Sequence, residues 1–350
     1  MINHELARII KKKPGLDRTK RNVLLIGKGS SNKEAKTIVN PVEVKYAKQL
    51  YGEDSELCQA YKIAKEITND INIYTVNCLL FTDFIEIIDD LIHYNFDFIV
   101  PLDIHLRDTF VNPITNKITH FAAYYLERLG YTENKTVLVM TDHESHLYDD
   151  IDQYINDMKI IHNDFCKVNN DIINSYGNNL VFVLNNLLNN KFANVILAAS
   201  LSSCEFSEYP ADINIPTYFD IDYLDLKSYN NICFYKYHPI TNKTSIEQLY
   251  NFRPTNDIYK KVLIDMLIKY VVSHLDLSEF HGLLFNPYVK VQIDIKVTKI
   301  MNEMLGRVFS SYIINSIYFK KTGAGVGNLI IDVSITPHSL LEKINILLEV

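Results

Sequence analysis

The 350-residue chain is 47% hydrophobic and 22% charged, which supplies enough apolar material for one large packed core or two smaller ones. Its formal net charge of −7 argues against duplex DNA as the main partner, because neutralising phosphates needs a basic face. Five widely spaced cysteines with no CxxC pair exclude a disulfide framework and a zinc site, and read as small core residues in a reducing compartment.

Residues 1–21 are polar and basic and are broken by Pro14-Gly15, which predicts an arm attached to the body. Its basic run, Lys11-Lys12-Lys13 with Arg18, Lys20 and Arg21, reads as a solvated arm and not as a phosphate patch. No apolar h-region follows the opening charges, and no apolar run approaches the ~20 residues that span a bilayer. The expectation is a soluble protein without secretory signal or membrane insertion, assembled in the cytosol.

The first core strand is NVLLIG (22–27), followed by a loop, GKGSSNKEAK. Asn40-Pro41 is placed to cap a helix over 41–51 with proline at its first position, and 55–69 reads as a second helix with Leu57, Ala60, Tyr61, Ala64 and Ile67 on one face. The alternation continues with strand 71–78, a Thr82-capped helix 84–94, strand 96–102, a helix over 118–130, strand 135–141, a long amphipathic helix over 148–175 and strand 179–186. ANVILAAS (193–200) is one more apolar run. Strands apolar on both faces and separated by helices predict a parallel sheet covered on both sides.

Residues 201–255 are irregular, with one strand at 231–237. Helices follow at 256–274, with Ile258, Val262, Met266 and Tyr270 on one stripe, and at 288–305. The end of the chain reads as a strand within 308–321, a glycine turn TGAGVGN (322–328), an alternating strand 329–337 stopped by Pro337, and a last strand, INILLEV (344–350). The unpaired backbone of that last strand needs a partner, either in its own molecule or in another copy.

Four local patterns suggest chemistry. Gly27-Lys28-Gly29-Ser30-Ser31 lacks the upstream glycine of a phosphate loop, and its next helix is a dozen residues away. Gly323-Ala324-Gly325-Val326-Gly327 joins two strands, so its glycines read as hairpin residues and not as a dinucleotide fingerprint. Asp142, His143, Glu144 and His146, with Asp103 and His105 after the preceding strand, are the best enzymatic candidate: a metal or phosphate site at the binding edge of a parallel sheet. Ser200 and Ser202 in AASLSS have small neighbours but no His–Asp pair to activate them. No residue is assigned as catalytic, cofactor-binding or metal-ligating.

Both ends of the chain resemble contractile-tail sheath proteins of bacteriophages and related injection machines. The resemblance rests on Pro14-Gly15, VLLIGKG, the helix VEVKYAKQLYG and the strand INIYTV at the start, and on GNLIIDVSITPHSLLEKINILLEV at the end. The centre, from VLVMTDH through DIDQYI, LAAS and FDID, has the right order of elements with weaker motifs. The family implies homo-oligomeric, hexameric rings stacked helically around an inner tail tube protein, with baseplate and neck proteins as further partners and no nucleic acid contact. It also implies arms that link neighbouring copies during contraction, which drives the tube through a target envelope. The implied place is the virion tail sheath, assembled in the bacterial host cytoplasm. Carried to this chain, the linking strand is Ile344, Asn345, Ile346, Leu347, Leu348, Glu349 and Val350, adding to a sheet that contains 329–336. The linking arm includes Ile9, Ile10, Pro14, Gly15 and Leu16.

The expected fold is α/β, a mainly parallel sheet with helices on both faces, plus a C-terminal α+β unit with extended N- and C-terminal arms. Its expected parts are an arm (1–21), a body (22–240), a C-terminal core (241–343) and a linking strand (344–350). The chain is short for the family, which implies reduced protruding domains and keeps a sheath-like collar, cap or baseplate protein as an alternative. An adaptor of the same particle and the metal- or phosphate-dependent α/β enzyme are the others.

Overall fold

The computed structural model describes residues 8–9, 21–102, 109–111, 118–121, 136–144, 153, 156, 180–203, 232–249, 262–321, 327–336 and 344–349, apart from positions 32–33, 70, 92–93, 95, 186, 188–190, 248, 276 and 281. The chain divides into two units, Met1–Cys204 with Tyr209–Val262, and Glu205–Glu208 with Leu263–Val350.

The first unit is built on a nine-stranded sheet in the order β1-β3-β4-β2-β5-β8-β9-β10-β11. Its six central strands are parallel: β4 (Asn72–Asn77), β2 (Asn22–Gly27), β5 (Phe98–Pro101), β8 (Thr136–Glu144), β9 (Leu180–Asn185) and β10 (Ile232–His238). Every residue of β2 and β9 is buried, so the sheet is covered on both sides, as their unbroken apolar runs require. Antiparallel strands finish the edges: β3 (Ile38–Asn40) on β4, β1 (Arg8–Ile9) on β3, and β11 (Lys243–Glu247) on β10. The hairpin β10–β11 carries the sheet past residue 240, and the described body runs to Val262.

Helix α1 (Val44–Tyr51) starts later than Asn40-Pro41 suggests. Asn40 instead ends β3, which meets the edge of β4 through the pairs Ile38↔Val76 and Val39↔Thr75. A parallel strand's bare edge is a stronger demand than a cap, and Tyr61 Oη fastens the following stretch by donating to the Pro41 carbonyl at 2.8 Å. Helix α2 (Glu56–Ile67) is capped by Ser55, whose hydroxyl accepts from the Cys58 N–H at 3.2 Å, and buries Leu57, Ala60, Tyr61 and Ala64. Helix α3 (Phe81–Leu91) begins before Thr82, with Asp83 accepting from the N–H groups of Leu79 and Leu80 at 3.0 Å each.

The run at 193–200, grouped by composition with the strands, is helix α4 (Ala193–Ser203). Residues 193–202 are all buried, and a segment apolar on every side carries no periodicity to tell helix from strand. It packs on α2 and across β2, β5, β8 and β9. Arg21 Nη1 donates at 3.0 Å to the Leu201 carbonyl in its last turn, where unpaired carbonyls and the helix dipole favour a cation.

The helix expected over 118–130 is also corrected at its start. Ile118–Phe121 is strand β7, paired antiparallel with β6 (Thr109–Val111), and residues 122–130 lie outside the described residues. The helix expected over 148–175 lies outside them too, except for Gln153 and Asn156, which are helical.

The second unit contains α5 (Val262–His274), a 3-10 turn (Ser278–Phe280), α6 (Pro287–Met304) and a three-stranded antiparallel sheet, β12 (Ser311–Lys321), β13 (Gly327–Thr336) and β14 (Ile344–Glu349). Asn286 caps α6, its side-chain oxygen accepting from the N–H groups of Tyr288 and Val289 at 2.9 Å each, and Pro287 takes the first helical position. Val289, Ile293, Val297, Met301 and Met304 form its buried stripe, and the helix packs on β12. Among the described residues no helix is long and apolar enough to cross a membrane.

Candidate assembly interface

Among the described residues, the end of β2 at the ligand edge of the parallel sheet is packed by the protein's own side chains. Strand order reverses at β2, with β4 on one side and β5 on the other, which is where open α/β sheets place a ligand crevice. At that point Leu102 lies over Gly27, so near that a Cβ on the glycine would stand 2.7 Å from Leu102 Cδ1. The backbone donors that a phosphate would need are taken: Gly29 N–H by Asn77 Oδ1 at 2.8 Å and Ser30 N–H by the Tyr51 carbonyl at 2.6 Å. Asn77 also donates to the Ser31 carbonyl at 2.7 Å, which ties the loop down on β4.

The other chemical candidates fare as follows. Asp142, His143 and Glu144 fall inside β8 and not beyond its end, while Asp103, His105 and His146 lie outside the described residues. Among the described residues no group of three His, Cys, Asp or Glu is placed to hold a metal ion. Ser200 and Ser202 are buried in α4. Positions 322–326 connect two antiparallel strands whose register closes at Lys321↔Gly327, as the hairpin reading requires.

The terminal segments form the remaining candidate site. β13 is the middle strand of the small sheet, with Ile330, Ile331, Val333, Ser334 and Ile335 buried. Facing pairs run Tyr312↔Ile335, Ile314↔Val333, Ile317↔Ile331 and Phe319↔Leu329, apolar against apolar. Asn315 is the extra residue of a bulge, and its Nδ2 donates to Asp332 Oδ1 at 2.9 Å and Ser334 Oγ at 2.8 Å, so the hairpin cannot slide.

On the other side of β13, β14 pairs through Ile335↔Ile344, Ser334↔Asn345, Val333↔Ile346, Asp332↔Leu347, Ile331↔Leu348 and Ile330↔Glu349. In the single chain the last strand therefore lies on its own 330–335, the stretch expected to receive it from a neighbour. Its register positions 344, 346 and 348 oppose buried Ile335, Val333 and Ile331, and a slip of one residue would put Asn345 and Leu347 there instead. Val350 lies outside the described residues. Within the described residues the outer edges of β12 and β14 carry no ladder.

At the other end of the chain, β1 is the outermost strand of the large sheet, with Arg8↔Asn40 and Ile9↔Val39. Ile10, Pro14, Gly15 and Leu16 lie outside the described residues. The reception of β1 by β3 was not legible, because Ile38-Val39-Asn40 is too short to stand out as a strand.

No protein-family model and no curated protein matches the sequence. Solved structures do match the fold. A sheath tail protein from Listeria innocua superposes with a TM-score of 0.63 at 9% identity, over 98% of this chain and 96% of that one. A sheath tail protein from Desulfitobacterium hafniense gives 0.59 at 9% identity, over 97% and 98%. A chain in the cryo-EM structure of the anti-feeding prophage baseplate gives 0.58 at 9% identity, over 93% and 92%. Over nearly its whole length, then, this chain has the fold of contractile-tail sheath proteins.

Proposed function

We propose that the protein is the structural subunit of a contractile tail sheath, polymerising as stacked hexameric rings around an inner tail tube and contracting to drive that tube through a target envelope. In this reading it acts without catalysis or cofactor, joins baseplate and neck proteins at the ends of the tube, and resides in the particle after assembly in the host cytoplasm. The observation that carries the reading is the position of β14. It is an edge strand in a specific register, so moving it to a neighbour's β13 replaces each lost hydrogen bond with an identical one and leaves the β12–β13 hairpin intact.

The seven positions 337–343 before it span at most about 25 Å when extended, which sets the reach of such an exchange. Residues Ile344–Val350 would be one link between copies, and the arm with Ile9, Ile10, Pro14, Gly15 and Leu16 a second. Strand pairs of this kind hold locally while flanking segments bend, which suits subunits that rotate during contraction.

Electron microscopy of the purified protein tests the proposal. Long hollow tubes are expected, and removal of residues 344–350 should leave soluble single subunits; tubes that persist after the truncation would remove the terminal strand from the explanation. The likeness to a chain in a baseplate structure favours one second reading, a sheath-like baseplate, collar or cap protein. That protein would stop at a single ring in the same micrographs.

A further inference from the structure

Strand β1 is short, and a chain of pairings fixes its place. Ile9 lies opposite Val39, Val39 opposite Thr75, and Thr75 opposite Leu25, so Ile9 stands level with Leu25 of β2. β1 is antiparallel to β3 and β3 to β4, so β1 runs in the direction of β4 and β2, three places from β2 in the sheet order. With strands about 4.8 Å apart and a rise of about 3.3 Å per residue, Ile9 and Arg21 are about 20 Å apart. The intervening positions 10–20 reach about 40 Å when extended. Docked on β3, the tip of the arm is held against its own sheet, well short of its full reach.

The arm is held unequally at its two ends. At the root, the Arg21 carbonyl accepts from the Asn72 N–H at 2.9 Å, and Arg21 Nη1 donates to the Leu201 carbonyl at 3.0 Å. The Asn22 N–H beside it donates to Asp97 Oδ2 at 2.7 Å. At the tip, the described contact is two residue pairs, Arg8↔Asn40 and Ile9↔Val39, against the six that hold β14 on β13. So short a ladder opens far more readily than the sheet it rests on, and opening it leaves the root in place as a pivot. While closed, it pairs with the outer edge of β3, which would otherwise offer bare backbone to another chain.

We propose that this pairing is an autoinhibitory clasp: in the free chain Arg8 and Ile9 on β3 keep the tip of the linking arm on its own body, and a copy joins a neighbour only once the clasp has opened. The proposal rests on the reading of the arm as a link between copies. Such a clasp lowers a subunit's effective affinity for a growing end by the fraction of time it is open, which restrains stray association of free copies. A neighbour's strand edge that receives the arm restores the backbone pairs lost on opening, so the exchange runs forward at an assembling end.

The full chain carrying Arg8→Cys with Asn40→Cys tests it. Opposed residues of antiparallel strands have Cα atoms about 4.5–5.5 Å apart, within disulfide reach. Mild oxidation of the free chain should give a monomer on a non-reducing gel, with peptide mapping joining position 8 to position 40. Electron microscopy should find no tubes from the oxidised chain and tubes like the parent's after reduction. Tubes assembled in reductant and oxidised afterwards should yield little 8–40 link, because their arms have left β3. Should the two cysteines themselves disturb tubes in reductant, the neighbouring pair Ile9→Cys with Val39→Cys carries the same test. Failure of the free chain to form the link, tubes from the oxidised chain equal to those from the reduced one, or ready linking inside finished tubes would each overturn the clasp and leave the sheath reading standing. A parent that forms no tubes strikes the sheath reading itself, and the clasp with it.

Discussion

Leu102 Cδ1 would stand 2.7 Å from a Cβ at Gly27, so the glycine exists to let the side chain after β5 close over the end of β2. The Leu102 N–H also donates to the Ile26 carbonyl at 2.7 Å, which leaves the leucine little room to retreat. A crevice that serves other α/β sheets for ligands serves this one for packing.

Gly27→Ala should therefore lower stability by about 1–3 kcal/mol, an overpacking cost. Urea denaturation should show an earlier midpoint with an unchanged slope. Adding Leu102→Ala should recover part of that loss, so that the double variant costs less than the two singles together. Simple additivity would mean that the two side chains do not meet.

Asp83 ties the start of α3 to the loop that carries Lys36, whose ammonium lies 3.1 Å from Asp83 Oδ1. Burial pushes the carboxyl pKa up, but the hydrogen bond from Lys36 and those from the N–H groups of Leu80 and Leu79 outweigh it and hold it below its usual value. A depressed folded pKa gives stability that is present above the unfolded value, ~3.9, and lost as pH falls through the folded value. Asp83→Ala should cost about 1 kcal/mol at pH 7, and the gap from the parent should narrow in melts taken below pH 4.

Asn286→Ala should remove both cap bonds of α6 and destabilise the protein by about 1 kcal/mol, with Asn286→Asp close to the parent. Equilibrium denaturation followed by circular dichroism measures it. An alanine variant equal to the parent would show that water replaces the cap.

Ile346→Asp would set a carboxylate opposite buried Val333. Hydrogen exchange should then lose protection across 344–349 while the β12–β13 ladder keeps its own, because β14 is an edge and not a middle strand. Equal loss in both ladders would show that the small sheet opens as one piece.

Cys58, Cys78 and Cys233 are buried thiols. Burial pushes Cys78 up to about 12 and raises Cys58, so little thiolate is present at pH 8. Peptide mapping after iodoacetamide treatment should find these three positions unlabelled in the folded protein and labelled once it is denatured.

Much of this architecture is legible in the sequence, where local pattern and fold agree. NVLLIG and LVFVLN are strands in place because an unbroken apolar run bounded by polar residues suits a strand covered on both faces. Asn286-Pro287 marks a helix start because a side-chain acceptor followed by a residue without an N–H meets the needs of a first turn. Asn40-Pro41 carries the same letters and is not a helix start, since there Ile38 and Val39 pair with the edge of β4 and Asn40 pairs with Arg8 of β1, so the segment is a strand.

The sequence by itself determined the parallel α/β body, the two helices and hairpin of the second unit, and the β character of the C-terminal end, since each depends on periodicity or turn chemistry within a few residues. Only the tertiary structure decided that ANVILAAS is a helix, that Leu102 packs over Gly27 at the switch point, and that the last strand pairs with 330–335 of its own molecule. Those outcomes depend on which segments meet across long separations, and such meetings are set by packing and by the backbone's need for hydrogen-bond partners.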